Sequence, residues 1–235
     1  MIYNDNINPA AIELLNLWLV EKNDHASILE LGCWTGALGE YCQEAYQQRI
    51  SEWIGVEACE KALVIAEKRL SRVVKLDLNA ANCPVLKDLL DAADVILMID
   101  VLEHLFDPFL FLTNLAQRCK GKPVIIVLPN IGCHQIIEQL SIQDFEYEET
   151  GILDRTHRYF FTPKSFVRAV SKIGFKIQSK LIYLRNAKGL HIRNSLMSSR
   201  RNTIMISPSL SISITSQAAI DSISSYGFGI IISAL

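Results

Sequence analysis

Two glycines four residues apart follow a short apolar run that contains an acidic residue. The run is Ile28–Leu31 with Glu30 inside it, and the glycines are Gly32 and Gly36. A tight turn of this kind between a strand and a helix lets a ligand approach bare backbone, and a helix N-terminus favours anionic groups. The spacing therefore predicts a site for a nucleotide-like ligand.

Two histidines and an aspartate are the residues best suited to moving a proton. His104 follows a later apolar run, and His157 lies three residues after Asp154. An imidazole titrates near neutral pH and can act as a general base, and an Asp-x-x-His pair can orient such a ring. We predict catalytic roles for all three residues. The alternative is that the histidines pack beside the ligand and that Asp154 organises its loop.

Glu103 and His104 form a carboxylate–imidazole pair of the kind that can bind a divalent cation. Two adjacent residues rarely point at one ion, and the sequence shows no clear third ligand. We therefore predict that the protein has no metal site.

Alternating strands and helices must position these residues. Continuous apolar runs predict five strands, at Ser27–Leu31, Glu52–Glu57, Val73–Asp77, Asp94–Ile99 and Pro123–Pro129. The stretches between them predict helices near Gly36–Gln48, Glu60–Arg69, Pro84–Asp91 and Pro108–Cys119. Continuous apolar runs are typical of strands that are buried on both faces of a parallel sheet. The repeats thus predict an α/β fold with a doubly wound sheet.

Ligands of such a sheet bind beyond the carboxyl ends of its strands. Acidic residues stand at four consecutive predicted strand ends, namely Glu30, Glu57, Asp77 and Asp100. Glu57 is spaced to bind both ribose hydroxyls, and Asp77 to accept a hydrogen bond from an adenine amino group. Each acid alone can equally cap a helix or face solvent. Together the four predict a nucleoside site.

The pattern changes after Asn130. The polar and aromatic segment Asp144–Thr162 predicts a loop or lid, followed by a helix at Pro163–Ile173 and a strand at Phe175–Leu184. Residues 186–235 are rich in serine and isoleucine. We predict a main domain over residues 1–185 and a C-terminal segment over 186–235 that supplies the last strands of the sheet or is partly disordered.

Composition narrows the class of protein. The chain has 235 residues, half of them hydrophobic, and a net charge of −2, which gives no electrostatic footprint for nucleic acid. Its six cysteines contain no CxxC pair, which predicts reduced thiols. The N-terminus lacks a signal-peptide pattern, and no apolar run approaches 18 residues. We expect a cytoplasmic protein with no membrane span and no nucleic-acid partner.

The segment Glu30-Leu31-Gly32-Cys33-Trp34-Thr35-Gly36 resembles the first motif of class I S-adenosylmethionine (SAM)-dependent methyltransferases, acidic-x-Gly-x-Gly-x-Gly. The resemblance implies SAM as the cofactor. It also implies a Rossmann-like doubly wound, mostly parallel seven-stranded sheet in the order 3-2-1-4-5-7-6, with helices on both faces. The residues that match cofactor-binding positions of the family are Glu30, Gly32, Cys33, Gly36, Glu57, Ala58, Asp77, Leu78, Asp100 and Val101.

One position departs from the family pattern. Trp34 stands where the family commonly has its middle glycine. A non-glycine residue there limits positive φ, and an indole must point away from the ligand unless the turn shifts.

The segment Leu153–Thr162 is similar to an LDRTHxxFFT segment of bacterial methyltransferases that are often linked to glycosyltransferases and cell-surface polysaccharide pathways. This resemblance implies methyl transfer to a small-molecule or saccharide-like acceptor, and it alone favours O-methylation. Two alternatives stay open: a non-catalytic SAM-binding or scaffold protein with the same fold, and an NAD(P)-dependent oxidoreductase.

Overall fold

The computed structural model describes residues 7–22, 24–80, 84–198, 203–207 and 210–235. Its strands are β1 (Ala26–Leu31), β2 (Ile50–Glu57), β3 (Arg72–Lys75), β4 (Val95–Ile99), β5 (Pro123–Pro129), β6 (Phe175–Ile177), β7 (Ile182–Leu184), β8 (Thr203–Ser207), β9 (Leu210–Ser213) and β10 (Gly227–Ala234). Its helices are α1 (Pro9–Glu21), α2 (Ala37–Ala45), α3 (Glu60–Ala66), α4 (Pro84–Ala92), α5 (Pro108–Arg118), α6 (His134–Ser141), α7 (Pro163–Ile173), α8 (Ala187–Ser198) and α9 (Gln217–Ile223). No helix of these residues is long and apolar enough to cross a membrane.

The main sheet has the order β3-β2-β1-β4-β5-β10-β6, and β7 also pairs with β10. Strands β1 to β5 run parallel, whereas β10 lies antiparallel between β5 and the β6–β7 pair. This is the order 3-2-1-4-5-7-6, with β10 in the seventh position and with β6 and β7 sharing the sixth. The prediction of a doubly wound α/β sheet is confirmed, and the five predicted central strands all form within two residues of their predicted bounds.

The strand predicted over Phe175–Leu184 is interrupted. Residues 178–181 face only Ile230 and Ile231 of β10, so the two strands cannot keep one register. The Ser179 hydroxyl accepts the Ile231 N–H at 2.9 Å, which satisfies a donor that a continuous strand would have bonded through its backbone. A side chain thus replaces a ladder hydrogen bond where the strand breaks.

Two layers of helices cover the sheet. Helices α1, α2 and α3 bury apolar residues against one face, and α4, α5 and α7 against the other. Helix α1, which the sequence analysis did not predict, packs on β5, β7 and β10. The residues at its start favour a helix N-terminus, because the Asn8 side chain caps the helix by accepting the Ala10 N–H at 3.1 Å and Pro9 occupies the first turn.

The chain leaves the sheet after β7 and returns in β10. Between them α8, the β8–β9 hairpin and α9 form a separate small apolar cluster around Ile192, Leu196 and Ile220. In strand β9 apolar residues alternate with serines, and the apolar side chains are the less exposed ones, as in a strand with one face towards solvent. Strand β10 is buried along its whole length. The division of the chain at residue 185 stays a prediction.

Candidate active site

A cleft of about 1030 Å³ opens at the carboxyl ends of β1 to β4. It is lined by the turn after β1, by the ends of β2, β3 and β4, and by residues 155–158 of the later loop. Nine of the ten residues that match cofactor-binding positions line it: Glu30, Gly32, Cys33, Glu57, Ala58, Asp77, Leu78, Asp100 and Val101. Gly36 instead precedes the first residue of α2 in the left-handed conformation.

Three alternate residues of the turn after β1 lie in the left-handed region of backbone conformation. The φ angles are +79° at Gly32, +48° at Trp34 and +76° at Gly36. Trp34 therefore has a positive φ although it is not a glycine, and it lines the cleft. The expectation that a tryptophan limits positive φ at this position is wrong for this chain.

Hydrogen bonds to Glu57 hold the turn in this shape. Its Oε2 accepts the Trp34 N–H at 3.0 Å, and its Oε1 accepts the N–H groups of Ala58 at 2.8 Å and Cys59 at 2.7 Å. Each carboxylate oxygen has two lone pairs, so Oε2 keeps one for a further donor while Oε1 has none. In this conformation Glu57 can take one additional hydrogen bond, and contact with both ribose hydroxyls would require it to release a backbone N–H.

Glu30 lies beneath the turn and is 4% exposed. Its Oε2 accepts the Trp53 indole N–H at 2.9 Å. That close approach depends on Gly39, because a Cβ there would lie 2.6 Å from Trp53 Nε1. Burial raises the pKa of Glu30 to about 8, although the indole hydrogen bond opposes the shift. Glu30 is therefore mainly protonated at neutral pH.

The acids after β3 and β4 are held differently, Asp77 by a local turn and Asp100 by a side chain distant in sequence. Asp77 accepts the Asn79 N–H at 2.9 Å, which ends β3. Asp100 has a φ of +52° and accepts from the Asn8 side-chain amide at 3.3 Å. The carboxyl of Asp100 is open to the cleft, yet the surrounding protein desolvates it and raises its pKa to about 6.

Residues 154–157 fold back on the end of β4. The Thr156 hydroxyl lies 2.6 Å from Asp154 Oδ1 and 3.0 Å from His104 Nδ1. Burial acts to raise the pKa of Asp154, but the Thr156 hydrogen bonds and the two imidazoles outweigh it, so Asp154 is ionised and can only accept. The hydroxyl proton therefore points to Asp154, and His104 donates from Nδ1. Neutral His104 then carries its lone pair on Nε2.

His157 has the same tautomer for a simpler reason. Its Nδ1 lies 2.9 Å from the Ile152 carbonyl oxygen, which can only accept, so Nδ1 carries the proton. The two rings meet edge to face with centroids 4.7 Å apart. Burial lowers the pKa of His104 to about 4 and also lowers that of His157, so both rings are neutral at pH 7.

The three residues predicted to be catalytic therefore differ in their access to the cleft. His104 and His157 line the cleft, whereas Asp154 is 1% exposed and acts on His104 through Thr156. Thr156 is not among the residues predicted from the sequence, although the Asp-x-Thr spacing is typical of the turn in which Asp154 accepts the Thr156 N–H at 2.8 Å.

A sequence profile of a methyltransferase domain matches residues 3–180. The chain belongs to this methyltransferase family. Its cofactor is SAM, and the cleft fits that group chemically: it combines exposed backbone at the glycine turn with acids at successive strand ends.

One curated protein and two solved structures are similar to this chain. The ubiquinone biosynthesis O-methyltransferase of Azorhizobium caulinodans is 25% identical over 155 residues, which are 64% of this chain and 58% of that protein. A SAM-dependent methyltransferase from Aquifex aeolicus covers 97% of this chain and 94% of its own, with a TM-score of 0.53 and 14% identity. The plantazolicin methyltransferase BpumL, solved with a triazolic desmethylPZN analog and SAH, covers 96% of this chain and 84% of its own, with a TM-score of 0.56 and 15% identity. The two structures show the methyltransferase fold alone.

Within this methyltransferase, the contacts predicted for single residues with SAM stay predictions. The same holds for the link to glycosyltransferases and polysaccharide pathways that the LDRTHxxFFT segment suggested.

Proposed function

We propose that this chain transfers the methyl group of SAM to a hydroxyl of a small-molecule or saccharide-like acceptor. The observation that carries the proposal is the pair of neutral imidazoles at the end of β4. Thr156 and the Ile152 carbonyl engage the Nδ1 protons, so His104 and His157 both hold an unprotonated Nε2 beside the cleft. A hydroxyl acceptor needs such a base, because its proton must leave for the oxygen to attack.

When bound, SAM supplies an electrophilic methyl group on a positively charged sulfur. The turn after β1 and the acids at the strand ends would hold and orient this donor, and the cleft wall would hold the acceptor hydroxyl. Nε2 of His104 or His157 accepts the hydroxyl proton and later releases it to water. Asp154, through Thr156, keeps His104 in the tautomer that can do this.

The rim of the cleft supports a polar, ring-shaped acceptor. Phe106 is 62% exposed, and the Arg158 guanidinium lies 4.3 Å from the centre of its ring. An aromatic face beside a cation suits the flat face of a sugar or phenol together with its hydroxyls. The O-methyltransferase relative supports the same choice of acceptor atom.

Calorimetry on the purified chain with S-adenosylhomocysteine and with NAD tests the cofactor. We expect binding of the first and none of the second. A folded chain that binds no S-adenosylhomocysteine would refute the proposal, and binding of NAD instead would favour the oxidoreductase.

A transfer assay with methyl-labelled SAM tests the acceptor atom. Catechols and free sugars are compared with their fully O-methylated ethers and with matched aryl amines. Label in the hydroxylated compounds only is the expected result, whereas label in the amines alone would overturn O-methylation. His157→Gln should lower turnover more than binding of the cofactor, and His25→Gln, in an exposed loop, should change neither.

A further inference from the structure

Glu103 carries a buried carboxyl group that has no hydrogen-bond partner among the described residues. It is 0% exposed, and within the described residues neither side-chain oxygen accepts a hydrogen bond. Burying such a group is costly unless a donor or a cation compensates it. Its backbone is well held, since the Glu103 carbonyl accepts the Arg158 N–H at 2.7 Å and the Tyr159 N–H at 3.2 Å. The backbone of Glu103 is therefore fixed, and the part of the chain that the structure describes offers its carboxyl no hydrogen-bond donor.

Two imidazole nitrogens stand next to this carboxylate. His157 Nε2 lies 3.9 Å from Glu103 Oε1, which is too far for a hydrogen bond. Glu103, His104 and His157 form a cluster in which each residue offers one possible ligand atom, and these three atoms all lie within 4.8 Å of one another. The Nδ1 contacts described above leave Nε2 as the unprotonated nitrogen of each ring, which is the form that binds metal.

We propose that Glu103, His104 and His157 bind a divalent transition-metal cation. Two imidazoles and one carboxylate suit Zn²⁺, Co²⁺, Mn²⁺ or Fe²⁺ better than Mg²⁺, which prefers oxygen ligands. Ligand atoms about 2.1 Å from a tetrahedral ion lie about 3.4 Å apart, so the three atoms must close by at most about 1.4 Å. Rotation about side-chain bonds supplies a movement of that size.

The surroundings of the cluster have the organisation of a metal site. Ligating histidines commonly donate their second ring N–H to a carbonyl, a carboxylate or a hydrogen-bonded relay, which fixes the ring. His157 donates to the Ile152 carbonyl, and His104 donates to Thr156, which in turn donates to Asp154. Three protein ligands leave positions open on the cleft side, where a water or an acceptor oxygen can bind.

Such a cation changes the expected roles of the histidines. It lowers the pKa of a hydroxyl that binds it, so the proton can pass to water while both imidazoles serve as ligands rather than as bases. The inference rests on the cluster itself and does not depend on the proposed function. Metal binding can be measured with neither SAM nor acceptor present.

The test uses the 235-residue chain after EDTA treatment and dialysis. Titration with Co²⁺ is followed by the visible absorption of the bound ion. Titrations with Zn²⁺ and Mg²⁺ are followed by calorimetry. We expect one equivalent of Co²⁺ or Zn²⁺ and much weaker Mg²⁺. Glu103→Gln and His157→Gln should each weaken Co²⁺ binding at least about 100-fold, and Thr156→Val about 10- to 100-fold. His25→Gln is the matched control and should leave it unchanged.

Circular dichroism of each variant shows whether it folds. If the Glu103→Gln variant does not fold, the His157→Gln and Thr156→Val variants still test the proposal. Absence of Co²⁺ and Zn²⁺ binding to the wild-type chain would overturn the proposal. Equal binding to the folded Glu103→Gln or His157→Gln variant would overturn it as well, because the ion would then lie elsewhere.

Discussion

The buried carboxyl of Glu30 makes the stability of this protein depend on pH in a calculable way. The pKa of Glu30 is about 8 in the folded chain and 4.5 in the absence of the fold. Between these values the folded state holds a proton that the unfolded state has released. The contribution of this proton to the free energy of unfolding is therefore fully present below pH 4.5, and it is lost as pH rises towards 8.

The magnitude follows from the shift. Each pH unit in this window changes the free energy of unfolding by about 1.4 kcal/mol. The loss amounts to about 3 kcal/mol at pH 7 and about 5 kcal/mol above pH 8. Glu30→Gln removes the titration but keeps an oxygen that can accept the Trp53 indole N–H. The variant should therefore match the wild type near pH 4.5 and exceed its stability increasingly above it.

Urea unfolding at intervals between pH 5 and 9, followed by tryptophan fluorescence, measures this difference. Subtracting the two stability curves cancels the titration of the groups that do not interact with Glu30. Glu44→Gln, at an exposed position of α2, is the control and should run parallel to the wild type. Parallel curves for Glu30→Gln and the wild type would refute the prediction, because they would show that Glu30 does not keep a proton in the folded state.

Substitutions at three positions, Glu57, Trp34 and Gly32, test the turn after β1. Glu57→Gln should weaken S-adenosylhomocysteine binding by about 10- to 150-fold in calorimetry, through loss of a charge-assisted acceptor worth about 1.5–3 kcal/mol; unchanged affinity would refute its role. Trp34→Ala should be less stable to urea than Trp34→Gly by about 1 kcal/mol, because φ is +48° there, and the reverse order would contradict that conformation. Gly32→Ala should cost about 1–3 kcal/mol of stability, since its Cβ would lie 2.5 Å from Val101 Cγ2. Adding Val101→Ala should restore part of that loss, and no recovery would place the strain in the backbone alone.

The sheet was predictable because its central strands are continuous apolar segments. Parallel strands buried on both faces need such segments, and β1, β4 and β5 have them, whereas the edge strand β3 has two half-buried valines between exposed basic residues. Helix α1 was missed although Asn8 and Pro9 mark its start. The break between β6 and β7 could not be foreseen, because it depends on where the Ser179 hydroxyl meets β10.

The conformation of the glycine turn also lay beyond the sequence. A tryptophan at position 34 argues against positive φ when local preference alone is considered. The fold overrides that preference, because Glu57 at the end of the neighbouring strand binds the Trp34 N–H and fixes the backbone around it. The two residues are adjacent only after β1 and β2 have paired.

The cluster of Glu103, His104 and His157 is the clearest case of a site whose residues come together only in the folded chain. Glu103 and His104 are neighbours in sequence, but the third member, His157, belongs to a loop whose place depends on two hydrogen bonds to the Glu103 carbonyl. The prediction of no metal rested on the lack of a third ligand, and the loop brings His157 Nε2 to 3.9 Å from Glu103 Oε1. The same loop forms a wall of the cleft through residues 155–158. A substitution that displaces this loop must therefore alter the acceptor wall and the cluster together, which is why single ligand variants are the sharper test of either role.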